Sequence, residues 1–107
     1  MLEILKSTSF EKWFSELKDR QAQARITARI SRLSLGNAGD VKPVGSGVSE
    51  MRIGYGPGYR VYYQQRGETI ALLLCGGDKS TQAKDILRAK RLAKEWKDDD
   101  EEEEETH

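Results

Sequence analysis

Three cations and one aromatic stand at positions where strand geometry would gather them. In the stretch from Val48 to Tyr55, Met51 and Ile53 suit a core, which turns Glu50 and Arg52 to the other side. From Tyr59 to Arg66, the residues Tyr59, Val61 and Tyr63 suit the core, which turns Arg60, Tyr62, Gln64 and Arg66 the opposite way. Arg52, Arg60 and Tyr62 would then line one concave surface, with Lys79 arriving from the loop beyond the next strand. Cations with an aromatic among them suit a phosphate backbone and a stacked base. The competing description is a set of solvated strand-edge charges paired with Glu50 and Asp78. A metal site has little to draw on, because the one histidine is His107 and no His/Cys/carboxylate set is spaced for zinc or a redox metal. The single cysteine, Cys75, ends the apolar run Ile70-Ala71-Leu72-Leu73-Leu74-Cys75; it has no internal disulfide partner and is expected to be a buried, inert thiol.

The elements that must position these residues follow from periodicity. Residues 2–6 alternate as a short strand, and Thr8 with Glu11 reads as a capping box that starts a helix. Phe10, Trp13, Phe14 and Leu17 fall on one face of it and belong to the core. Asp19 caps a second helix that runs to Leu35 and stops at Gly36, with Ala22, Ile26, Ile30 and Leu33 as its buried stripe. Arg25, Arg29 and Arg32 form a separate basic stripe, either solvated or facing an acidic partner. Residues 36–47, rich in Gly, Asp and Pro, read as a loop. Three strands follow, Val48–Tyr55, Tyr59–Arg66 and Thr69–Cys75, joined by Gly56-Pro57-Gly58 and Gly67-Glu68 as an antiparallel meander. Asp78 or Ser80 then caps a last helix to Trp96 that buries Ile86, Ala89, Ala93 and Trp96. The order β-α-α-β-β-β-α predicts an α+β domain, an antiparallel sheet with its helices largely on one face and the other face open to a ligand.

Composition limits what this domain can be. A chain of 107 residues holds one modest core. It is 34% charged and has no apolar run near the roughly 20 residues that span a bilayer, nor the features of a secretory signal, so a cytoplasmic protein is expected. The formal net charge of zero is divided: residues 1–97 carry all 18 Lys and Arg against 10 acids, and Asp98 to Glu105 are eight consecutive acids. Residues 1–97 therefore read as a basic domain of +8 suited to phosphate backbones, and residues 98–107 as a disordered acidic tail able to compete for the same cations.

The stretch from Gly36 through Glu50-Met51-Arg52-Ile53 to Gly56-Pro57-Gly58-Tyr59-Arg60-Val61-Tyr62-Tyr63 resembles the addiction-module killer proteins, a phage-related, HigB-like branch of the RelE/ParE toxin superfamily. So does Leu73-Leu74-Cys75-Gly76-Gly77-Asp78-Lys79-Ser80-Thr81-Gln82 with Asp85-Ile86. The resemblance implies a RelE-like fold over residues 1–96. It also implies the toxin of a type II toxin–antitoxin system: a ribosome-dependent messenger RNA endoribonuclease, independent of metal and cofactor, that uses the RNA 2′-hydroxyl as nucleophile. Its partners would be the ribosome, messenger RNA and a cognate antitoxin, usually a helix-turn-helix protein. Carried over residue by residue, Arg60 contacts the transition-state phosphate, Lys79 stabilises or protonates the leaving oxygen, and Arg52 positions the scissile phosphate. Lys42 and Tyr62 join Arg52 in binding RNA. The tyrosine that RelE offers as base falls near Asp85, which leaves Asp85 or Asp78 as base, or Tyr62 to orient the hydroxyl. A ParE-like gyrase inhibitor and a non-catalytic RNA-binding protein or decayed toxin are the other readings.

Overall fold

A computed structural model describes the backbone of residues 1–105 and the side chains of residues 1–96. The tail expected at 98–107 thus lies outside the side chains described. The elements are β1 (Glu3–Lys6), α1 (Thr8–Ser15), α2 (Arg20–Ser34), β2 (Val41–Gly45), β3 (Val48–Ile53), β4 (Tyr59–Arg66), β5 (Ile70–Gly77), a single 3₁₀ turn (Lys79–Thr81) and α3 (Gln82–Glu105). They form an α+β domain with one five-stranded sheet in the order β1-β5-β4-β3-β2. None of the described helices is long and apolar enough to cross a membrane.

Both helices of the hairpin start where a side chain satisfies open amides. Asp19 caps α2 as expected, accepting from Gln21 and Ala22. For α1 the cap is Ser7, one residue before the expected Thr8, and its hydroxyl also donates to the Leu74 carbonyl, tying the helix start to β5. Phe10, Ala22, Ile26 and Leu33 are buried as their spacing requires, with Trp13, Phe14, Leu17 and Ile30 partly buried around them.

Three expectations are corrected. First, residues 41–45 form a strand where a loop was expected. Pro43 is tolerated because β2 is the sheet's outer strand, where a missing amide costs no ladder bond on the open side. Second, the sheet is mixed, because β1 runs parallel to β5 while the other neighbours are antiparallel. Third, helices cover both faces. Met51, Ile53, Val61, Tyr63 and Leu73 pack against α1 and α2, whereas Val48, Tyr62, Leu72, Leu74 and Cys75 pack against Ala89 and Ala93 of α3. The face expected to lie open is largely a second core. The end of that face beside the start of α3, where Arg52, Lys79 and Gln82 are not fully buried, remains accessible to a ligand and holds the candidate site.

Candidate functional site

At the start of α3 the registers of β3 and β4 converge on one carboxylate. Glu50 stands opposite Tyr62, and Arg52 opposite Arg60, so all four share the α3 face of the sheet. The Glu50 side chain is fully buried and accepts from three donors: Arg52 Nε at 3.1 Å, Tyr62 OH at 3.0 Å and Gln82 Nε2 at 2.8 Å. Arg60 Nε lies 3.5 Å from its Oε2. A buried charge requires this degree of satisfaction, since a carboxylate left without partners costs several kcal/mol. Burial alone would raise the Glu50 carboxyl, but the donors from Gln82, Arg52 and Tyr62 and the charge of Arg60 together hold it below the usual range. Glu50 is therefore an anion that orients two arginines.

Arg60 is the more confined of the two, with 12% of its side chain exposed against 37% for Arg52. Its Nη1 donates to the carbonyl of Gly58 at 2.6 Å, which braces it against the Gly56-Pro57-Gly58 turn. The Lys79 backbone amide reaches back to the Pro57 carbonyl, so that cation also stands beside the turn, with its side chain exposed. Lys42, on β2, lies opposite Glu50 in the register and is exposed on the same face. The structure thus brings Arg52, Arg60, Lys79 and Lys42 to one end of the sheet.

Tyr62 does not join them at the surface. Its ring is fully buried under α3 and its hydroxyl is spent on Glu50, which corrects the expectation that it stacks a base. Burial, followed by the hydrogen bond to Glu50, pushes its phenol far above the ordinary value. The expected basic stripe on α2 keeps Arg25 and Arg32 exposed and is corrected at Arg29. Arg29 is bonded to the carbonyls of Arg52, Ala38 and Asp40, fastening α2 to β3, and Arg25 lies over the Tyr55 ring at 4.7 Å.

The two aspartates divide in role. Asp78 caps the 3₁₀ turn by accepting from the Ser80 amide and hydroxyl, and chiefly that hydroxyl keeps its carboxyl below the usual range. Asp85 is nearly buried; its carboxylate accepts from the Thr81 hydroxyl and rests against Gly77, the register partner of Arg60. The consecutive glycines serve opposite faces of the sheet. A Cβ on Gly76 would stand 2.3 Å from the Trp13 indole, and one on Gly77 would stand 1.8 Å from Asp85 Oδ2. Each glycine admits one side chain against β5, so the Gly76-Gly77-Asp78 sequence sets how closely the start of α3 approaches the arginines.

Glu50 as the hub, and Gln82 and Thr81 as second partners, were not identified from sequence. The available signal was Glu50 at i and Arg52 at i+2, which must share a face. Cys75 is buried, as expected; its thiol donates to the Asp85 carbonyl at 3.7 Å, and burial pushes it up to about 12. Among the described residues no group of His, Cys, Asp and Glu could hold a metal ion. The site can bind and polarise a phosphate with aimed guanidinium groups and has one shielded carboxylate beside them.

A family profile described as Phage derived protein Gp49-like (DUF891) matches residues 12–97, a span that includes every residue of this site. A protein of Haemophilus influenzae, described as an uncharacterized protein, is 51% identical over 94 residues, covering 88% of this chain and 95% of the relative.

Proposed function

Because the chain belongs to the Gp49-like phage-derived family, we propose that it is the toxin of a type II toxin–antitoxin system, a cytoplasmic, metal-independent endoribonuclease that cleaves messenger RNA on the ribosome. The observation that carries the reading is the pairing of Arg52 with Arg60 across β3 and β4, both oriented by one buried carboxylate. In this reading the RNA 2′-oxygen attacks the adjacent phosphorus, the bond to the 5′-oxygen breaks, and a cyclic phosphate and a free 5′-hydroxyl result. Negative charge grows on the phosphoryl oxygens, where a planar guanidinium is the most effective stabiliser. Arg60 contacts those oxygens, Arg52 positions the phosphate, and Lys79 supplies a proton to the departing oxygen. Asp85, whose carboxylate rests against Gly77 across the register from Arg60, takes the 2′-proton. Lys42 holds the flanking backbone. The partner is a cognate antitoxin, a small helix-turn-helix protein that covers this end of the sheet.

One observation favours a second reading, a non-catalytic RNA-binding protein. Both arginines already pair with Glu50, as purely structural cations would. Mapping RNA ends after a short induction of wild type and Arg60→Ala separates the two. New cleavage sites in translated messages, lost in a folded Arg60→Ala protein, support the nuclease; their absence in the wild type, or their persistence in Arg60→Ala at the wild-type rate, refutes the assignment. Alanine at 60 removes one brace to Gly58 and one charge beside Glu50, and is expected to cost about 1–2 kcal/mol, which leaves the domain folded.

A further inference from the structure

A groove of about 540 Å³ lies between α3 and the β2–β3 hairpin, lined by Ser46, Gln64, Lys90, Arg91, Ala93 and Lys94. Of the six described residues that line it, three are cations and none is acidic. Among the described residues no acid stands within ion-pair distance of Lys90, Arg91 or Lys94; the carboxylate paired with Arg52 and Arg60, Glu50, is at the other end of the sheet. The hairpin is set by its turn. Ser46 and Gly47 have φ of +57° and +76°, the conformation that a two-residue hairpin matching strand twist demands. Lys90 Nζ reaches the hairpin, ending 3.1 Å from where a Cβ on Gly45 would stand, and the Ser46 carbonyl accepts from Gln64. Cations are thus presented from a helix against a fixed wall that carries a hydroxyl and an amide.

The groove also lies on the same side of the sheet as the arginine pair. Gln64 shares the face of Tyr62 and Arg60, and four residues of strand at roughly 3.3 Å each put it about 13 Å from Arg60. Lys42, between them on β2, carries positive charge from the Arg52 end toward Gly45. A few nucleotides of extended single strand span that distance.

We infer that this groove is a second binding surface for the phosphate backbone of single-stranded RNA, which holds the strand a few nucleotides from the phosphate at Arg60. The inference rests on the nuclease reading of the site. Lys90 and Lys94, four residues apart on α3, each neutralise one phosphate, and the contact selects no sequence, because it reads backbone charge alone.

The test uses the full chain and a fluorescent single-stranded oligonucleotide of about 12 nucleotides, a length within reach of such sites. Loss of two phosphate contacts in Lys90→Ala/Lys94→Ala should lower the slope of log K against log salt by about 1.4 and weaken binding roughly 25-fold at 0.1 M salt. Both positions are helical and at least partly exposed, so the variant should unfold with wild type. In cleavage, KM should rise with kcat little changed, whereas Arg60→Ala should lose kcat. Wild-type affinity and salt slope in the double variant overturn the groove and leave the arginine site standing. Failure of the wild type to bind the oligonucleotide also overturns the groove, whereas the nuclease reading falls only if the mapped messages show no new ends. If an acidic peptide binds the wild type and not the variant while RNA binds both equally, the groove takes a protein segment and the inference is wrong.

Discussion

Replacing Glu50 by Gln is the sharpest test of how the site is held. The amide has the carboxylate's shape but only one accepting oxygen, so its NH₂ must face either Arg52 Nε or the Tyr62 and Gln82 donors. Two guanidinium groups then lose their only carboxylate within 4 Å among the described residues. Breaking a buried pair by removing one partner costs roughly 3–5 kcal/mol, and the partial exposure of Arg52 and the long approach of Arg60 favour the lower end, about 3 kcal/mol. With a urea slope of roughly 1–1.5 kcal/mol/M for a domain of this size, the unfolding midpoint at pH 7 should fall by about 2–3 M. The effect should also depend on pH with a definite sign. Folding holds the Glu50 carboxyl below its ordinary value of 4.5, so its stabilisation is complete above that value and is lost as pH falls through the lower folded one. Asp19 and Asp78 are also held low, but they are present in both proteins and cancel in the comparison. The gap between wild type and Glu50→Gln should therefore be full at pH 7 and shrink below about pH 4. Cleavage by a variant that still folds should slow roughly 10²-fold, the usual effect of a misplaced contact group. Equal midpoints at pH 7, or a gap that does not close in acid, would refute the claim that one buried anion organises the arginines.

Gly77→Ala should lower stability by about 2–3 kcal/mol, because its Cβ would occupy the position of the Asp85 carboxylate and the start of α3 would have to shift; a wild-type midpoint in urea would show that β5 and α3 have slack here. Cys75 should resist thiol reagents at pH 8 in the folded protein and react at once in denaturant, since its thiol is buried and pushed up to about 12; rapid modification without unfolding would count against its place under α3.

Much of this architecture was legible because local chemistry and global fold agree. Asp19 announces α2, the meander is bounded by its glycine turns, and the apolar faces of α1, α2 and α3 fall where their periods place them. The Pro and Gly in Val41-Lys42-Pro43-Val44-Gly45 read as loop because they weaken any strand. Whether such a segment nonetheless pairs depends on its being at a sheet edge, a fact of topology that no local window contains. The parallel pairing of β1 with β5 likewise joins residues nearly seventy positions apart, and short alternation on either strand carries no record of direction.

The misplaced open face had a signal of its own. A strand covered on one side alternates, but residues 71–77 are buried without interruption and Val61, Tyr62 and Tyr63 are buried in sequence, which is the pattern of strands covered on both sides. Reading the run Ile70–Cys75 that way would have sent α3 across the face assigned to RNA and driven Tyr62 inward. With Tyr62 inward its hydroxyl needs an acceptor, and the only acid on the facing strand in its register is Glu50. An acid so buried needs cations, and period two supplies Arg52 on its own strand and Arg60 beside Tyr62. The second core and the cationic site are thus one structural decision: closing α3 over the sheet buries Glu50, and burying Glu50 aims the two arginines at the space beyond the helix start.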